Sequence, residues 1–554
     1  MRPRRPRPMS ERPALARASA WMALGTIVSR ITGMLRSIVL IAVIGASLNA
    51  DLFNIANSIP NSLYILVAGG VFNVVLVPQL VRAMKNDEDG GDAYANRVIT
   101  LGLLVLLAAS IVLTIAVPLI MRLLFDGALF TPEFADQRRS ALLLMVLCMP
   151  QVFFYGAFVL VGQVLNARQR FGPMMWAPIL NNLIALAMLG TYAWLFGTSD
   201  AADGFSTGEA LLLGLGSTLG IVVQAVTLVP YLRAVGFRYR PRFDFRGVGL
   251  GHTARLGAWT LGFIVVNQIA FFVIARIGSG ATIEGRRTGQ DAAGQTVYDL
   301  GFLLAQVPHG VITVSLATAI IPTLAAYAAD GRLARVGSEL GRTLRLVLIL
   351  IVPIAVATAV LGPQLAQVLA SGGAASSSVG AIGTTISAFS LGMLAFTLHY
   401  VVLRGFYAME DTRTPFWIQT VIAATNVLVA FIASSLVSPI WVSTILALSF
   451  GAAYLVGLTI SVTLLSRRVG GLATAEMTGF LVRLALVTLL TCAVMLTASV
   501  GWLRLDLGPD GTFLGALLHL VVVGGFGALV YLVAAHLARL RELQYVVRSL
   551  LRRG

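Results

Sequence analysis

Stretches of about 20 or more apolar residues, parted by short polar elbows, recur along the whole chain and leave few folds open to it. A helix needs roughly 20 such residues to cross the ~30 Å hydrocarbon layer of a bilayer. Runs of that kind lie at roughly 18–46, 52–82, 98–124, 140–167, 174–197, 209–235, 256–278, 298–327, 343–361, 379–407, 414–437, 440–466, 478–501 and 512–538. A transmembrane barrel would alternate apolar and polar residues in strands of about ten, and these continuous runs do not. A water-soluble fold is excluded by composition, because 57% of the residues are hydrophobic and only 12% charged, against about 25% charged in soluble domains. The expected fold is an all-α polytopic membrane protein with about 14 transmembrane helices.

The charges orient these helices. Lys and Arg number 40 against 24 Asp and Glu, a net +16. With both termini cytoplasmic, about 31 basic residues fall in inside segments and about 7 outside, the latter being Arg122, Arg138, Arg139, Arg276, Arg286, Arg287 and Arg504. That asymmetry follows the positive-inside rule and requires an even span count. The arginines sit in short caps between apolar runs and form no folded basic face, so nucleic acid is not an expected partner. The basic, proline-rich start resembles a signal peptide, yet the apolar run after it is too long for a cleaved segment and reads as a retained first helix. Cys148 and Cys492 each lie inside an apolar run and are not spaced for a disulfide or a metal cluster.

An internal duplication is visible. The segment GQVLNARQRFGPMMWAPILNNL from Gly162 resembles VVLRGFYAMEDTRTPFWIQTVIAATN from Val401, with Ala167 matching Ala408 and Pro173 matching Pro415 at offsets near 241 and 242. VFNVVLVPQL ending at Leu80 pairs with LATAIIPTL ending at Leu324 at an offset near 244. Two pseudo-symmetric six-helix bundles plus two C-terminal helices are therefore expected: a basic cytoplasmic N-terminus over 1–17, bundles over 18–236 and 250–466, accessory helices over 475–540 and a basic tail over 541–554. Six spans per half is an even number, so the halves are related by an axis along the membrane normal, and rocking of one half against the other offers alternating access to a central site. The tail is expected to lie on anionic membrane lipids.

The ionisable residues inside the spans mark that site. Arg30 lies about 12 residues, or ~18 Å, into the first helix, where a guanidinium costs at least about 2.5 kcal/mol and turns toward a bundle interior or a wet cavity. Arg36 follows, with Gly33 between them. Planar guanidinium forks grip phosphate in bidentate fashion, so an anionic, phosphorylated headgroup is the expected ligand. Asp51, at the outer end of the second span, is expected to hold an arginine when the site is empty. Asn57, Asn61 and Asn73 place amides along that span, and Pro60 with Gly69 and Gly70 makes it the expected gate helix. Asn267, Gln268, Asp299, Gln306 and His309 decorate the seventh and eighth spans, His309 reading as a packed polar residue. No Walker loop, HExxH or CxxC occurs, and no cofactor is expected. Resetting of a carrier would draw on a coupling ion or the membrane potential, worth ~2.3 kcal/mol per charge per 100 mV.

The stretch SRITGMLRSIVLIAVIGASLNADLFNIANSIPNSLYILVAGGVFNVVLVPQL, Ser29 to Leu80, resembles the opening of the MurJ (MviN) family of lipid II flippases, in the multidrug/oligosaccharidyl-lipid/polysaccharide exporter superfamily. VNQIAFFVIA from Val266, VPHGVITVSLATAIIPTL from Val307 and GFYAMEDTRTP from Gly405 extend the likeness over essentially the whole chain. The resemblance implies translocation of the undecaprenyl-pyrophosphate-linked peptidoglycan precursor, lipid II, from the inner to the outer leaflet of the bacterial cytoplasmic membrane, for cell-wall synthesis. It implies further that Arg30, Arg36, Ser29 and Asn61 bind the headgroup, and that Asp51 and Pro60 match the family's acidic residue and its Pro-Asn pair. Where many members carry further charges, this sequence has Leu63, Tyr64, Leu303 and Gln306, which leaves the positive charge to Arg30 and Arg36, aided by Arg255. The competing expectations are a drug or cation antiporter on the same scaffold, which needs an intramembrane carboxylate, and a non-transporting scaffold that recruits wall-synthesis proteins.

Overall fold

The computed structural model describes residues 11–65, 89, 91–198, 203–245, 250–472, 475–505, 507–508 and 511–544, with the side chains of 11–20, 22–23, 64, 250–257 and 475 outside that description. Gly69, Gly70 and Asn73, the side chain of Arg255, the first ten residues and the last ten of the basic tail therefore lie outside the described residues. Every regular element described is helical, as expected where no water is present to satisfy backbone groups.

The first half comprises α1 (Glu11–Ile44), α2 (Leu48–Ile65), α3 (Asp92–Ile115), the short α4 (Val117–Leu124), α5 (Ala135–Cys148), α6 (Gln151–Ala167), α7 (Gly172–Phe196), α8 (Thr207–Val226) and the short α9 (Leu228–Ala234). The second half comprises α10 (Leu250–Thr288), α11 (Gln295–Pro308), α12 (Val314–Ala329), α13 (Leu333–Ala370), α14 (Val379–Ala408), α15 (Arg413–Ser434) and α16 (Val442–Val469). Two further helices follow, α17 (Ala475–Arg504) and α18 (Phe513–Leu537). Among the described residues 13 helices are long and apolar enough to cross a membrane, against the fourteen expected. The difference falls on the second run, 52–82, which is described only as far as Ile65 at the end of α2.

The duplication has a physical counterpart at its two elbows. After α6, Gln169 takes a left-handed backbone (φ 61°), with Gln169 N–H bonded to Asn166 O at 2.9 Å and Arg170 N–H to Leu165 O at 2.9 Å. After α14, Glu410 takes the same conformation (φ 58°), with Glu410 N–H on Tyr407 O at 3.1 Å and Asp411 N–H on Phe406 O at 3.0 Å. Glycine is the usual occupant of such a turn. A side chain there costs roughly 1–2 kcal/mol, and the chain keeps it at both equivalent places.

Among the described residues the halves meet tightly at one end. Ile44, Ala46, Leu52 and Ile55 are each at most 1% exposed and pack in one core with Ala275, Ile283, Val297, Ala370 and Ile382 of the second half. Arg276 Nη1 donates to Arg122 O at 3.0 Å and Leu123 O at 2.8 Å, and Ala374 N–H reaches Ala42 O at 3.0 Å. These contacts lie at the end away from the arginine-rich elbows. Toward the other end of the described helices, Arg30 on α1 and Asn61 on α2 are exposed. Elsewhere the perimeter presents large apolar side chains such as Ile115, Trp194 and Leu436, each more than three-quarters exposed, the surface a hydrocarbon solvent requires.

Candidate functional site

A cavity of about 600 Å³ lies inside the first half, walled by α1, α2, α6, α7 and α8 and touched from the second half by Asp299. Its α1 wall is the stripe Ser29, Arg36, Ser37 and Leu40, which share one helical face at the i, i+7, i+8, i+11 spacing. Its α2 wall carries Asn54, Asn57, Ser58 and Asn61. The sequence-expected residues Ser29, Arg36, Asn57, Asn61 and Asp299 thus meet at one cavity. Arg36 is its one arginine among the described residues.

The rest of the wall is polar in a way the sequence reading missed. Asn182 Nδ2 donates to Ser29 O and to Thr32 Oγ1, both at 3.0 Å, and so ties α7 to α1 beside Arg36. Gln151 Nε2 bonds Asn57 Oδ1 at 3.2 Å and Thr218 Oγ1 at 3.3 Å, and Cys148 Sγ lies 3.6 Å from the same Asn57 oxygen. Asn181, Gln224 and Tyr155 also line the space. The available signal was the Asn181-Asn182 pair just after Pro178 in an otherwise apolar span.

Arg30 points elsewhere. One residue past Ser29 on α1, it is rotated ~100° around the helix, and its guanidinium lies against Gly310 of the second half. A Cβ at Gly310 would come within 2.7 Å of Arg30 Cζ. Gly310 sits in a π-helical turn, His309–Thr313, immediately after Pro308. Proline has no N–H for the carbonyl four residues back and crowds that turn, so the local widening follows from the sequence. His309 is 4% exposed, 3.2 Å from Thr397 Oγ1, with its ring against Phe396 and Tyr400. Arg404, within α14, stacks its guanidinium 4.0 Å from the Tyr400 ring centroid. A second-half arginine therefore joins, through Tyr400, the cluster around His309 beside the Gly310 turn. By sequence it had counted only as a topology marker.

Asp51 corrects an expectation. It holds no arginine, and among the described residues neither Arg30 nor Arg36 has a carboxylate within ion-pair distance. Asp51 is fully buried and caps α11 instead: Oδ1 accepts from Thr296 N–H and Thr296 Oγ1, both at 2.6 Å, and Oδ2 from Thr282 Oγ1 at 2.9 Å and Gln295 N–H at 3.2 Å. A carboxylate at a helix N-terminus meets unpaired N–H groups and the positive end of the helix dipole, which makes this partner set better than a distant guanidinium. Asn54 Nδ2 adds a bond to Thr296 Oγ1 at 3.0 Å. Asp299 accepts from Gln295 Nε2 at 2.7 Å. Pro60 is buried within a continuous α2, and Gln306 is half-buried on α11 outside the cavity lining.

Residues 40–507 match the family profile described as lipid II flippase MurJ. A probable lipid II flippase MurJ of Haemophilus influenzae is 29% identical over 415 residues, covering 72% of this chain and 77% of the relative. A probable lipid II flippase MurJ of Synechocystis is 24% identical over 499 residues and covers 89% of each chain. Among solved structures, a lipid II flippase MurJ in an inward closed conformation superposes with a TM-score of 0.71 at 19% identity, over 93% of this chain and 98% of that one. An inward-facing multidrug resistance MATE transporter of the MOP superfamily superposes at 0.60 and 13% identity, over 80% and 94%.

Proposed function

The chain belongs to the lipid II flippase MurJ family, and from that membership we propose that it carries lipid II from the inner to the outer leaflet of the cytoplasmic membrane by alternating access, both its termini being cytoplasmic. The observation that carries the mechanism is the cavity of the first half: amide-lined, with Arg36 on its wall, and set apart from the end where the Asp51 cap on α11 joins the halves. At such a cavity a guanidinium–phosphate contact is charge-assisted and strong. Arg36 takes the pyrophosphate, and Arg30, at the seam between the halves, senses the same charge. Asn57, Asn61, Asn182 and Gln151 offer donors and acceptors to the uncharged sugar and peptide groups.

Transport then has a physical sequence. An anion held by Arg36 pulls Arg30, on the same helix, off the Gly310 turn of the second half and frees the inner ends to close. Closure there competes with the Asp51 cap at the outer end, and release of the cap opens the outer face. The membrane potential or an ion gradient resets the carrier.

The test is an Arg30→Ala chain as sole flippase in cells depleted of their own. Outer-leaflet lipid II, read by its accessibility to an external cleaving enzyme, falls to the depleted level on this account; an undiminished signal rejects the assignment of Arg30. An antiporter reading is weaker, because Asp299 and Asp51 both lie near span ends and are engaged by hydrogen bonds.

A further inference from the structure

Asn96 and Thr100 lie four residues apart on one face of the apolar helix α3 and are only 6% and 3% exposed. Buried polar groups need hydrogen-bond partners, and these find theirs in the segment after α9. Asn96 Oδ1 accepts from Arg240 N–H at 2.8 Å, Thr100 Oγ1 accepts from Arg242 N–H at 3.1 Å, and the Tyr239 hydroxyl stands 3.1 Å from the same Thr100 oxygen. Arg97 Nε donates to Asp244 Oδ2 at 2.8 Å further on. The turn before them is fixed as well. Gly236 is left-handed (φ 82°), with its N–H on Arg233 O at 3.0 Å and Phe237 N–H on Leu232 O at 3.2 Å, the paired closure of a glycine-ended helix. Residues 237–245 are thus strapped along α3 on the way to α10 at Leu250.

The strap forms one wall of a cavity of about 770 Å³. The other walls are apolar: Ile99 and Leu103 of α3, Phe153, Phe154 and Val161 of α6, and Val229 of α9. Arg233, Arg238 and Tyr239, all exposed, line the same space. No lining residue is shared with the cavity that holds Arg36, because α6 turns Tyr155 and Phe158 to that one and a different face to this.

The guanidinium groups of Arg233 and Arg238 have no carboxylate or hydrogen-bond partner among the described residues. The carboxylates of this region are taken, Asp92 by Arg168 and Asp244 by Arg97. Arg168 is itself used in holding the turn, since its Nη1 donates to Val235 O at 3.0 Å and its guanidinium lies over the Phe237 ring. One cavity therefore combines two unneutralised guanidinium groups with an apolar trough. A small soluble anion would leave the trough unfilled, and a neutral hydrocarbon would leave the arginines without a partner. A phosphate joined to an acyl chain satisfies both.

We propose that this cavity binds one anionic phospholipid of the leaflet at the basic elbows, its phosphate between Arg233 and Arg238 and an acyl chain along Leu103, Phe154 and Val161. Basic pockets between membrane helices suit such headgroups. The lipid seats on the strap, the stretch by which the first half passes to the second. The site is separate from Arg30 and Arg36 and does not depend on their role.

The test is native mass spectrometry of the full chain released from bilayers of phosphatidylcholine with a minor share of phosphatidylglycerol. Wild type retains phosphatidylglycerol selectively. The double variant R233Q/R238Q holds one phosphatidylglycerol fewer, its affinity for that molecule falling by about tenfold or more. Ala157→Trp, on the α6 wall of the cavity, fills the trough with every charge in place and also loses that molecule, so it carries the test alone if the double variant misfolds. The same number of phosphatidylglycerols retained by either folded variant as by wild type overturns the proposal. So does loss of that molecule to millimolar inorganic phosphate, which marks a headgroup-only site, or its one-for-one replacement by lipid II, which marks the cavity as part of the substrate path.

Discussion

Thr296 donates both its backbone N–H and its hydroxyl to the same Asp51 oxygen, each at 2.6 Å. Asp51 and Gln295, its other backbone partner, are 244 residues apart, the same offset that relates Leu80 to Leu324 in the duplication. Contacts between equivalent positions of two repeats fall on the axis that relates them. The Asp51 cap therefore sits where the first half crosses onto the second, and it joins them at the end away from the basic elbows.

Asp51→Asn removes the charge and turns one acceptor into a donor facing donors. Leaving buried partners unsatisfied costs about 1–3 kcal/mol, more for a charged group. The variant is expected to melt earlier and to expose the outer ends of α2 and α11 to a membrane-impermeant thiol reagent at an introduced cysteine. Unchanged melting and labelling would show that the cap does not hold that end shut.

Gly310→Ala places a methyl group where Arg30 now lies. The arginine must leave the π-turn or the turn must shift, and growth support in flippase-depleted cells is expected to fall by about tenfold or more, the equivalent of about 1.4 kcal/mol. The folded yield should change little, because Arg30 is exposed rather than packed in a core. Full activity in this variant would separate Arg30 from the second half.

Asn182→Leu keeps volume but removes both bonds from α7 to α1. Interhelical polar contacts of this kind are worth about 0.6–2 kcal/mol in membranes, so a modest loss in thermal stability is expected, with a larger loss in lipid II affinity from the altered wall beside Arg36. Loss of stability with affinity intact would assign Asn182 to packing alone.

At the second-half elbow, burial of Asp411 opposes its charged form, but the Thr414 hydroxyl at 2.6 Å, the Thr414 N–H at 2.9 Å and the Arg468 guanidinium outweigh it and hold the carboxyl below its usual value. A lowered folded value means the contribution is whole above the unfolded value near pH ~4 and is lost as pH falls through the folded one. Thermal midpoints measured downward from pH 6 should drop below about pH 4 more steeply in wild type than in Asp411→Asn. Parallel curves would exclude the clamp.

The helical membrane body was legible because length and hydropathy of single runs decide it, and the duplication because its elbows keep proline and small residues at fixed offsets. Ser29, Arg36, Asn57 and Asn61 were legible because a polar residue inside a span must find a polar cavity. Partners were not. Asp51 takes its hydrogen bonds from residues more than 230 positions away, a pairing set by where the repeat axis falls. Arg404 looked like an inside-loop charge because it lies close to the elbow, and only the packing of α14 brings it onto Tyr400 beside His309. Gln151 and Asn182 pass, one residue at a time, for ordinary interhelical polar contacts.

The central claim, that Arg36 in the cavity of the first half holds the pyrophosphate of lipid II, is tested most directly by titrating purified wild-type and Arg36→Ala protein with lipid II under native mass spectrometry. Wild type is expected to form a one-to-one complex, and Arg36→Ala to bind at least about tenfold more weakly through loss of a charge-assisted contact, with phospholipid retention unchanged. Equal affinity of the two proteins would contradict the account.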